Sequence, residues 1–164
     1  MYHSPVRYLL LDRITVLEPP TRACGVKAVA LSDDVFADHF PGHPLMPGAL
    51  QIEGMAQLGG VLLEQTLKAR GVATDVCEYH ALLIGVDRAR FRRVVRPGDR
   101  LEFEATVRNC TEDGGRAQVT ASVDGSLVSD AELTYAFSRV TNARAIARRR
   151  DVLNVWLYGD VEPP

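Results

Sequence analysis

The chain has 164 residues, of which 46% are hydrophobic and 24% are charged, and its formal net charge is −2. This composition is typical of one soluble globular domain with a core large enough to fold unaided. The net charge does not indicate nucleic acid as a partner. The N-terminal apolar run is too short for a signal peptide, and no run of about 18 apolar residues could span a membrane, so we expect a cytoplasmic protein.

Cys24, Cys77 and Cys110 are scattered, odd in number and not in the spacing of a zinc ligand set. We therefore predict reduced, buried thiols, with neither a disulfide framework nor a bound metal.

The first part of the chain predicts two paired strands. Residues 8–17 are rich in aliphatic and β-branched side chains and end at two prolines, which favours a first strand. Residues 22–31 alternate in polarity and predict a second strand, paired with the first as a hairpin. Residues 32–34 then indicate a turn or the start of a short helix.

The stretch 38–67 has two halves of opposite character. Residues 38–48 concentrate histidine, proline and glycine, which excludes a helix or an interior strand there. Residues 49–67 are almost uniformly apolar and lack proline, and they predict a buried helix. We expect this helix to begin near Gly48 and to end by Gly71.

Three glycines inside the predicted helix need an explanation. Each of Gly54, Gly59 and Gly60 weakens a helix by about 1 kcal/mol relative to alanine. We expect that a sheet or a second helix approaches this face closely.

The rest of the chain predicts a sheet and a second helix. The predicted strands are 79–93 (bent at Gly85), 101–110, 116–123 and 127–140, with glycine-containing turns between the later ones. One buried helix and five or six antiparallel strands predict an α+β fold in which a long sheet wraps a central helix. Asn142 can cap a basic C-terminal helix over 143–158, packed on the sheet or on a partner chain. We therefore predict a domain at residues 1–140 and a basic helical extension at residues 141–164.

His39 is the first candidate catalytic residue. It lies in the rigid loop, and a neutral imidazole is suited to proton abstraction near pH 7. The alternative is a loop histidine that only caps a backbone group.

Glu53 is the second candidate. Its apolar neighbours on the predicted helix favour a desolvated, protonated carboxyl group, which could donate a proton. The alternative is an ordinary acid near a helix N-terminus. Gln57 lies four residues later, on the same face, and can hydrogen-bond Glu53.

Gly48 supplies a third group, the free backbone N–H of a helix N-terminus, which would stabilise a carbonyl oxygen that gains negative charge. A base, an acid and an oxyanion donor within fifteen residues describe proton abstraction beside a carbonyl with loss of a β-hydroxyl. That reaction is the dehydration of a 3-hydroxyacyl thioester.

Two runs in this chain resemble a known family. HFPGHPLMPGALQIEGMAQLGG and, later, LLIGVDRARFRRVVRPGDRLEFEATV resemble the FabZ-like 3-hydroxyacyl-acyl-carrier-protein dehydratases of the hotdog-fold superfamily, over roughly residues 8–140. The resemblance implies a hotdog fold with His39 as the catalytic base and Glu53 as the catalytic acid. It also implies that the Gly48 N–H holds the thioester carbonyl and that Gln57 orients the acid.

The resemblance also implies partners. In this family the active site forms between subunits, which implies a homodimer, and three dimers often assemble into a hexamer. The substrate is carried on the phosphopantetheine of acyl carrier protein, no other cofactor is implied, and the acyl chain should occupy an apolar tunnel. Asp38, where the family commonly has glycine, and Gly54, where alanine or serine is commoner, indicate a specialised pathway.

An arginine cluster has two interpretations. Its members are Arg88, Arg90, Arg92, Arg93 and Arg96, with Arg100 nearby. Charge runs commonly lie on a solvated strand face. The functional interpretation is docking of an acidic carrier protein and its phosphopantetheine phosphate.

Other functions remain open for the whole chain. One is a hotdog thioesterase or an enoyl isomerase. Another is a non-catalytic hotdog protein that binds acyl thioesters. The reaction product distinguishes them, because dehydration yields an enoyl group and hydrolysis yields a free thiol.

Overall fold

The structure is a computed structural model that describes residues 8–74 and 76–159. In chain order its elements are β1 (Arg13–Glu18), β2 (Arg22–Ala28), a 3₁₀ helix (Asp34–Ala37), α1 (Gly48–Ala69), β3 (Glu78–Phe91), β4 (Arg100–Cys110), β5 (Gly114–Val123), β6 (Ser126–Val140) and α2 (Ala143–Tyr158). The strands form one antiparallel sheet in the order β1-β2-β4-β5-β6-β3. This is the predicted long sheet around a central helix.

Helix α1 lies on the sheet, mainly over β3, β4 and β5. Its side chains Leu58, Leu62 and Leu63 are fully buried in the core. The predicted close approach is confirmed at two of its glycines, because a Cβ atom at Gly54 would lie 2.7 Å from the ring of Phe103 and one at Gly59 would lie 2.5 Å from the hydroxyl of Tyr135. It is not found at Gly60, where the nearest atom would lie at 3.4 Å. Gly54 and Gly59 therefore let the sheet reach the helix backbone.

The first strand is shorter than predicted. β1 begins at Arg13 rather than at Tyr8, because backbone groups of Leu10 and Leu11 bind side chains instead of a neighbouring strand. The N–H of Leu10 donates to Oε1 of Gln57 (2.9 Å), and the carbonyl of Leu11 accepts from Nε1 of Trp156 (2.9 Å).

The second strand is also shorter than the predicted 22–31. β2 ends at Ala28, whose N–H donates to the carboxylate of Asp12 (2.6 Å). The N–H of Ala30 donates to the carboxylate of Asp33 (3.2 Å), and the short helix that was one of two predictions for residues 32–34 follows.

β3 is an edge strand of the sheet, and it is irregular at Gly85, where the sequence predicted a bend. Its pairing with β6 shifts register between Leu83 and Gly85 and again farther along. The strand exposes large apolar side chains: Leu82 is 53% exposed, Ile84 65% and Val86 45%. This open apolar edge is unusual for a monomer.

α2 packs on the sheet of its own chain, which was one of the two predicted locations; the other was a partner chain. The side chain of Asn142 caps it by accepting from the N–H of Ala145 (3.0 Å), and Gly159 ends it with a φ of 79°. Trp156 is 2% exposed and lies in the core. The division at residues 140/141 stays a prediction, and the ends of the two predicted segments, 1–7 and 160–164, lie outside the described residues.

The three cysteines are free and half-buried, rather than fully buried as predicted. Partial burial raises the pKa of the Cys24 thiol, to which the charge of Glu104 adds, and burial likewise raises the pKa of Cys110. Across 8–74 and 76–159, neither helix combines the length and apolar character needed to cross a membrane.

Candidate active site

The ring of His39 is fixed by the loop that follows the 3₁₀ helix. Its Nδ1 lies 2.8 Å from the carbonyl oxygen of Leu45. The backbone N–H of Leu45 in turn donates to the carbonyl of His39 (2.9 Å). Because a carbonyl oxygen only accepts, Nδ1 of the neutral ring carries the proton. Nε2 is then left with a lone pair, as a base requires.

Phe40 stacks on the His39 ring, with 4.1 Å between ring centroids. The His39 side chain is half-buried, whereas His43 in the same loop is exposed. The loop thus holds one histidine in a defined orientation and leaves the other in solvent.

The N-terminus of α1 is built close against β3. Pro47 is the N-cap and Gly48 the first helical residue, so the N–H of Gly48 has no acceptor within the helix. A Cβ atom at Gly48 would lie 2.7 Å from the ring of Phe91. A side chain at position 48 would therefore have to displace this ring, which is 51% exposed, and α1 begins at Gly48 as predicted.

A buried polar pair that sequence reasoning missed holds the first turn of α1. Gln51 is 3% exposed, and its Oε1 accepts from the hydroxyl of the fully buried Ser129 on β6 (2.9 Å). Its Nε2 donates to the carbonyl of Met46 (3.4 Å). The available signal was a glutamine one turn into an apolar helix, but its partner lies 78 residues away.

Glu53 and Gln57 form the predicted pair. Nε2 of Gln57 donates to Oε1 of Glu53 (2.9 Å) and to the carbonyl of Tyr8 (2.9 Å), while its Oε1 accepts from Leu10. These three contacts set the orientation of the Gln57 amide, which in turn holds the half-buried carboxyl of Glu53.

Glu53 opens onto a groove of about 280 Å³ between α1 and β3. Its lining residues are Glu53, Ala56, Gln57, Gly60, Glu64, His80, Ala81, Leu82, Leu83, Tyr135 and Arg149. His39 of the same chain does not line it. The described residues thus bring Glu53 and Gln57 into one groove and place His39 elsewhere.

Tyr135 forms part of the floor of this groove. It is almost fully buried, and its hydroxyl donates to the carbonyl of Ala56 (2.9 Å). Burial raises the pKa of Tyr135 well above its usual range, and the charges of Glu53 and Glu64 add to the shift. The phenol therefore stays protonated and fixes the turn of α1 that follows Glu53.

The arginine cluster lies on the exposed end of β3 and in the segment after it. All five of its members are exposed. Arg92 pairs with Asp130 (2.8 Å), whereas the side chains of Arg88, Arg90, Arg93 and Arg96 have no ion pair within the described part of the chain. Four cations without an ion pair thus lie in the exposed segment around Phe91, whose ring lies against Gly48.

The chain matches the family model of the FabA-like domain over residues 4–136. It is 42% identical over 134 residues to the 3-hydroxyacyl-[acyl-carrier-protein] dehydratase FabZ of Bacillus velezensis, covering 80% of this chain and 90% of that protein. It is 44% identical over 131 residues to the FabZ of a Campylobacter jejuni strain, with 79% and 88% covered.

Solved structures share the fold at lower identity. The dehydratase heterocomplex ApeI:P from Xenorhabdus doucetiae aligns with a TM-score of 0.65 at 20% identity, covering 80% of this chain and 84% of that one. A mutant thioesterase from Pseudomonas aeruginosa aligns with a TM-score of 0.58 at 18% identity, with 78% and 81% covered. The fold is the hotdog fold, and the chain belongs to the FabA-like family.

Proposed function

We propose that this protein dehydrates a 3-hydroxyacyl thioester, bound to acyl carrier protein, to the trans-2-enoyl thioester in fatty-acid or related polyketide or lipid biosynthesis. The observation that carries the proposal is the carboxyl of Glu53, held by Gln57 at the opening of a groove. The relatives at 42% and 44% identity support it by their names. We place the reaction in the cytoplasm.

The proposed mechanism divides the proton transfers between two side chains. Nε2 of His39 removes a proton from C2 of the acyl group, and the N–H of Gly48 stabilises the enolate-like oxygen that results. Glu53 protonates the 3-hydroxyl, which leaves as water while the C2–C3 double bond forms. Because the net change is loss of water, the reaction needs neither a redox group nor any cofactor beyond the phosphopantetheine that carries the substrate.

We propose that two copies of the chain complete each site. The groove at Glu53 is lined by Leu82 and Leu83 of β3, an edge strand with apolar side chains exposed, and it lacks His39. A second copy pairing along β3 would cover this edge. In that homodimer His39 of one subunit works with Glu53 of the other, and three such dimers would form the hexamer that the family resemblance implies.

We propose that the arginine cluster docks the carrier protein. Its cations flank Phe91, whose ring lies against Gly48, so a carrier bound there would stand beside the proposed carbonyl site. An acidic carrier and its phosphopantetheine phosphate would complement these charges.

Incubation of the purified protein with 3-hydroxyacyl carrier protein tests the reaction, with the enoyl product and free thiol followed together. We expect enoyl product without thiol. His39→Ala should abolish it, and His43→Ala, which changes the exposed histidine of the same loop, should not. Thiol release without enoyl product would instead identify a thioesterase, and binding with neither product would identify a non-catalytic protein.

A further inference from the structure

The groove that begins at Glu53 ends at charged residues. Glu53, Gln57, Gly60 and Glu64 line it from one face of α1, since these spacings stack side chains on one side of a helix. Glu64 lies eleven positions after Glu53, which corresponds to about 16 Å along the helix. The far end therefore lies well beyond the reacting carbons of a substrate.

Glu64 is held at this far end by two elements. It is 8% exposed, and its Oε2 accepts from Nε and Nη2 of Arg149 (3.0 and 2.9 Å). Its Oε1 accepts from the N–H of Ala81 on β3 (2.9 Å). The guanidinium of Arg149 lies 5.7 Å from the ring centroid of Trp156, so α2 contributes this end of the groove.

His80 lines the same end with an unsatisfied nitrogen. Its Nε2 is buried and has no hydrogen-bond partner among residues 8–74 and 76–159. The nearest carboxylate oxygen, Oε2 of Glu78, lies 3.8 Å away, which is beyond a hydrogen bond. A buried polar atom without a partner costs free energy, and a polar group of a ligand would satisfy it.

These contacts determine which acyl chains fit. The end of a saturated chain would exclude water from the partly exposed guanidinium of Arg149 without offering it a hydrogen bond. A chain with a hydroxyl or carbonyl oxygen near its end would accept from Arg149 or His80 at the same place. The walls nearer Glu53, formed by Ala56, Leu82 and Leu83, suit the intervening methylenes.

We infer that this site takes 3-hydroxyacyl groups that carry a second, hydrogen-bonding oxygen near the distal end of the chain, and that Glu64, Arg149 and His80 determine this specificity. The inference rests on the proposed dehydration. It differs from the apolar tunnel that the family resemblance implies.

Matched substrates test it directly. Dehydration is measured as kcat/KM for pairs of 3-hydroxyacyl thioesters of equal length, with and without a distal oxygen, over a series of increasing chain lengths. We expect the wild type to prefer the oxygenated member by about tenfold once the chain reaches the far end. Equal kcat/KM values for the two members at every length would overturn the inference and leave the proposed dehydration intact.

Variants locate the preference. Glu64→Leu combined with Arg149→Leu removes both charges, and a buried ion pair often tolerates such a replacement. We expect this double variant to prefer the saturated member, and His80→Leu to weaken the wild-type preference. Arg150→Leu is the control, because Arg150 pairs with Glu78 (2.9 Å) from the same helix but does not line the groove.

The outcomes separate the two proposals. A wild-type preference that the double variant retains unchanged would overturn the assignment to Glu64 and Arg149. A failure of every thioester to yield enoyl product would overturn the proposed function, and this inference with it.

Discussion

The side-chain amide of Gln57 donates a 2.9 Å hydrogen bond to Oε1 of Glu53, one helical turn before it. The same amide is tied to the backbone of Tyr8 and Leu10. The segment before β1 therefore holds the glutamine, and the glutamine holds the acid. The position of the Glu53 carboxyl depends on contacts between parts of the chain more than forty residues apart.

Gln57→Ala should lower kcat by about 10–100-fold, because a misplaced acid loses the geometry of proton transfer. KM should change little, since Gln57 is not proposed to bind the thioester. Steady-state kinetics with a carrier-bound substrate measures both values.

Gln65→Ala is the control for this variant, since it makes the same side-chain change two turns farther along α1 and outside the groove. It should keep wild-type kcat. An equal loss of kcat in the two variants would mean that Gln57 acts only through helix stability.

Gly54→Ala should destabilise the fold by about 1–3 kcal/mol through overpacking. The added methyl group would lie 2.7 Å from the ring of Phe103 and 3.0 Å from the carbonyl of Leu10, and Phe103 is 2% exposed, so its ring has little room to move. Urea unfolding measures the change. The same contact explains why this chain has glycine where the family commonly has alanine or serine.

A second substitution and a control test the overpacking. The Gly54→Ala, Phe103→Leu double variant should lose less stability than the sum of the losses in the two single variants. Gly60→Ala should be much milder, because its nearest neighbour is the Cβ atom of Ala81 at 3.4 Å and alanine favours the helix by about 1 kcal/mol. Equal destabilisation at the two glycines would argue against the contact with Phe103.

Arg149→Leu alone should destabilise the protein by about 3 kcal/mol, because it leaves the Glu64 carboxylate buried without its cation. This value is at the low end for a broken buried ion pair, since Arg149 itself is partly exposed. The Glu64→Leu and Arg149→Leu double variant should lose less. Chemical denaturation of the wild type, Glu64→Leu, Arg149→Leu and the double variant measures the coupling. Additive losses would mean that the two side chains stabilise the fold independently.

The arginine cluster should affect only substrates carried on protein. Replacement of Arg88, Arg90 and Arg93 by alanine should raise KM for a carrier-bound substrate by about tenfold at low salt, and less as salt screens the charges. The same acyl group on free pantetheine should react as in the wild type.

Three exposed arginines on other strands, Arg22, Arg108 and Arg116, provide a control with the same change in net charge. Their joint replacement by alanine should leave both KM values unchanged. A similar rise in KM in the two triple variants would show that net charge, rather than a docking surface, determines carrier affinity.

Local patterns in the sequence predicted the elements well and their distant contacts poorly. The apolar run predicted α1, and the spacing of Glu53 and Gln57 predicted their hydrogen bond, because a helix brings such positions together. The prediction of a strand from Tyr8 was wrong for the first half of that segment, since the side chains of Gln57 and Trp156 bind the backbone there.

The sequence also did not predict the polar pairs that hold the site together. Gln51 and Ser129 are 78 residues apart, and Glu64 and Arg149 are 85 apart. Periodicity indicates which face of an element is buried, but it does not indicate which distant side chain that face meets. These pairs follow only from the packing of β6 and α2 around α1.

A mixed dimer tests the shared active site most directly. If each site is shared as proposed, co-expression of a His39→Ala chain with a Glu53→Gln chain, each carrying a different affinity tag, yields dimers in which one of the two sites has both His39 and Glu53 intact. Each variant alone should be almost inactive, with kcat lowered by about 10²–10⁴-fold.

Doubly tagged dimers should regain roughly half of the wild-type rate of enoyl formation, because one site in two is complete. Doubly tagged hexamers should regain roughly a quarter, because only about half of their dimers are mixed. Dimers of either variant alone, purified in the same way, are the control. If the doubly tagged dimers form no more enoyl product than these controls, His39 does not work with Glu53 of the other subunit.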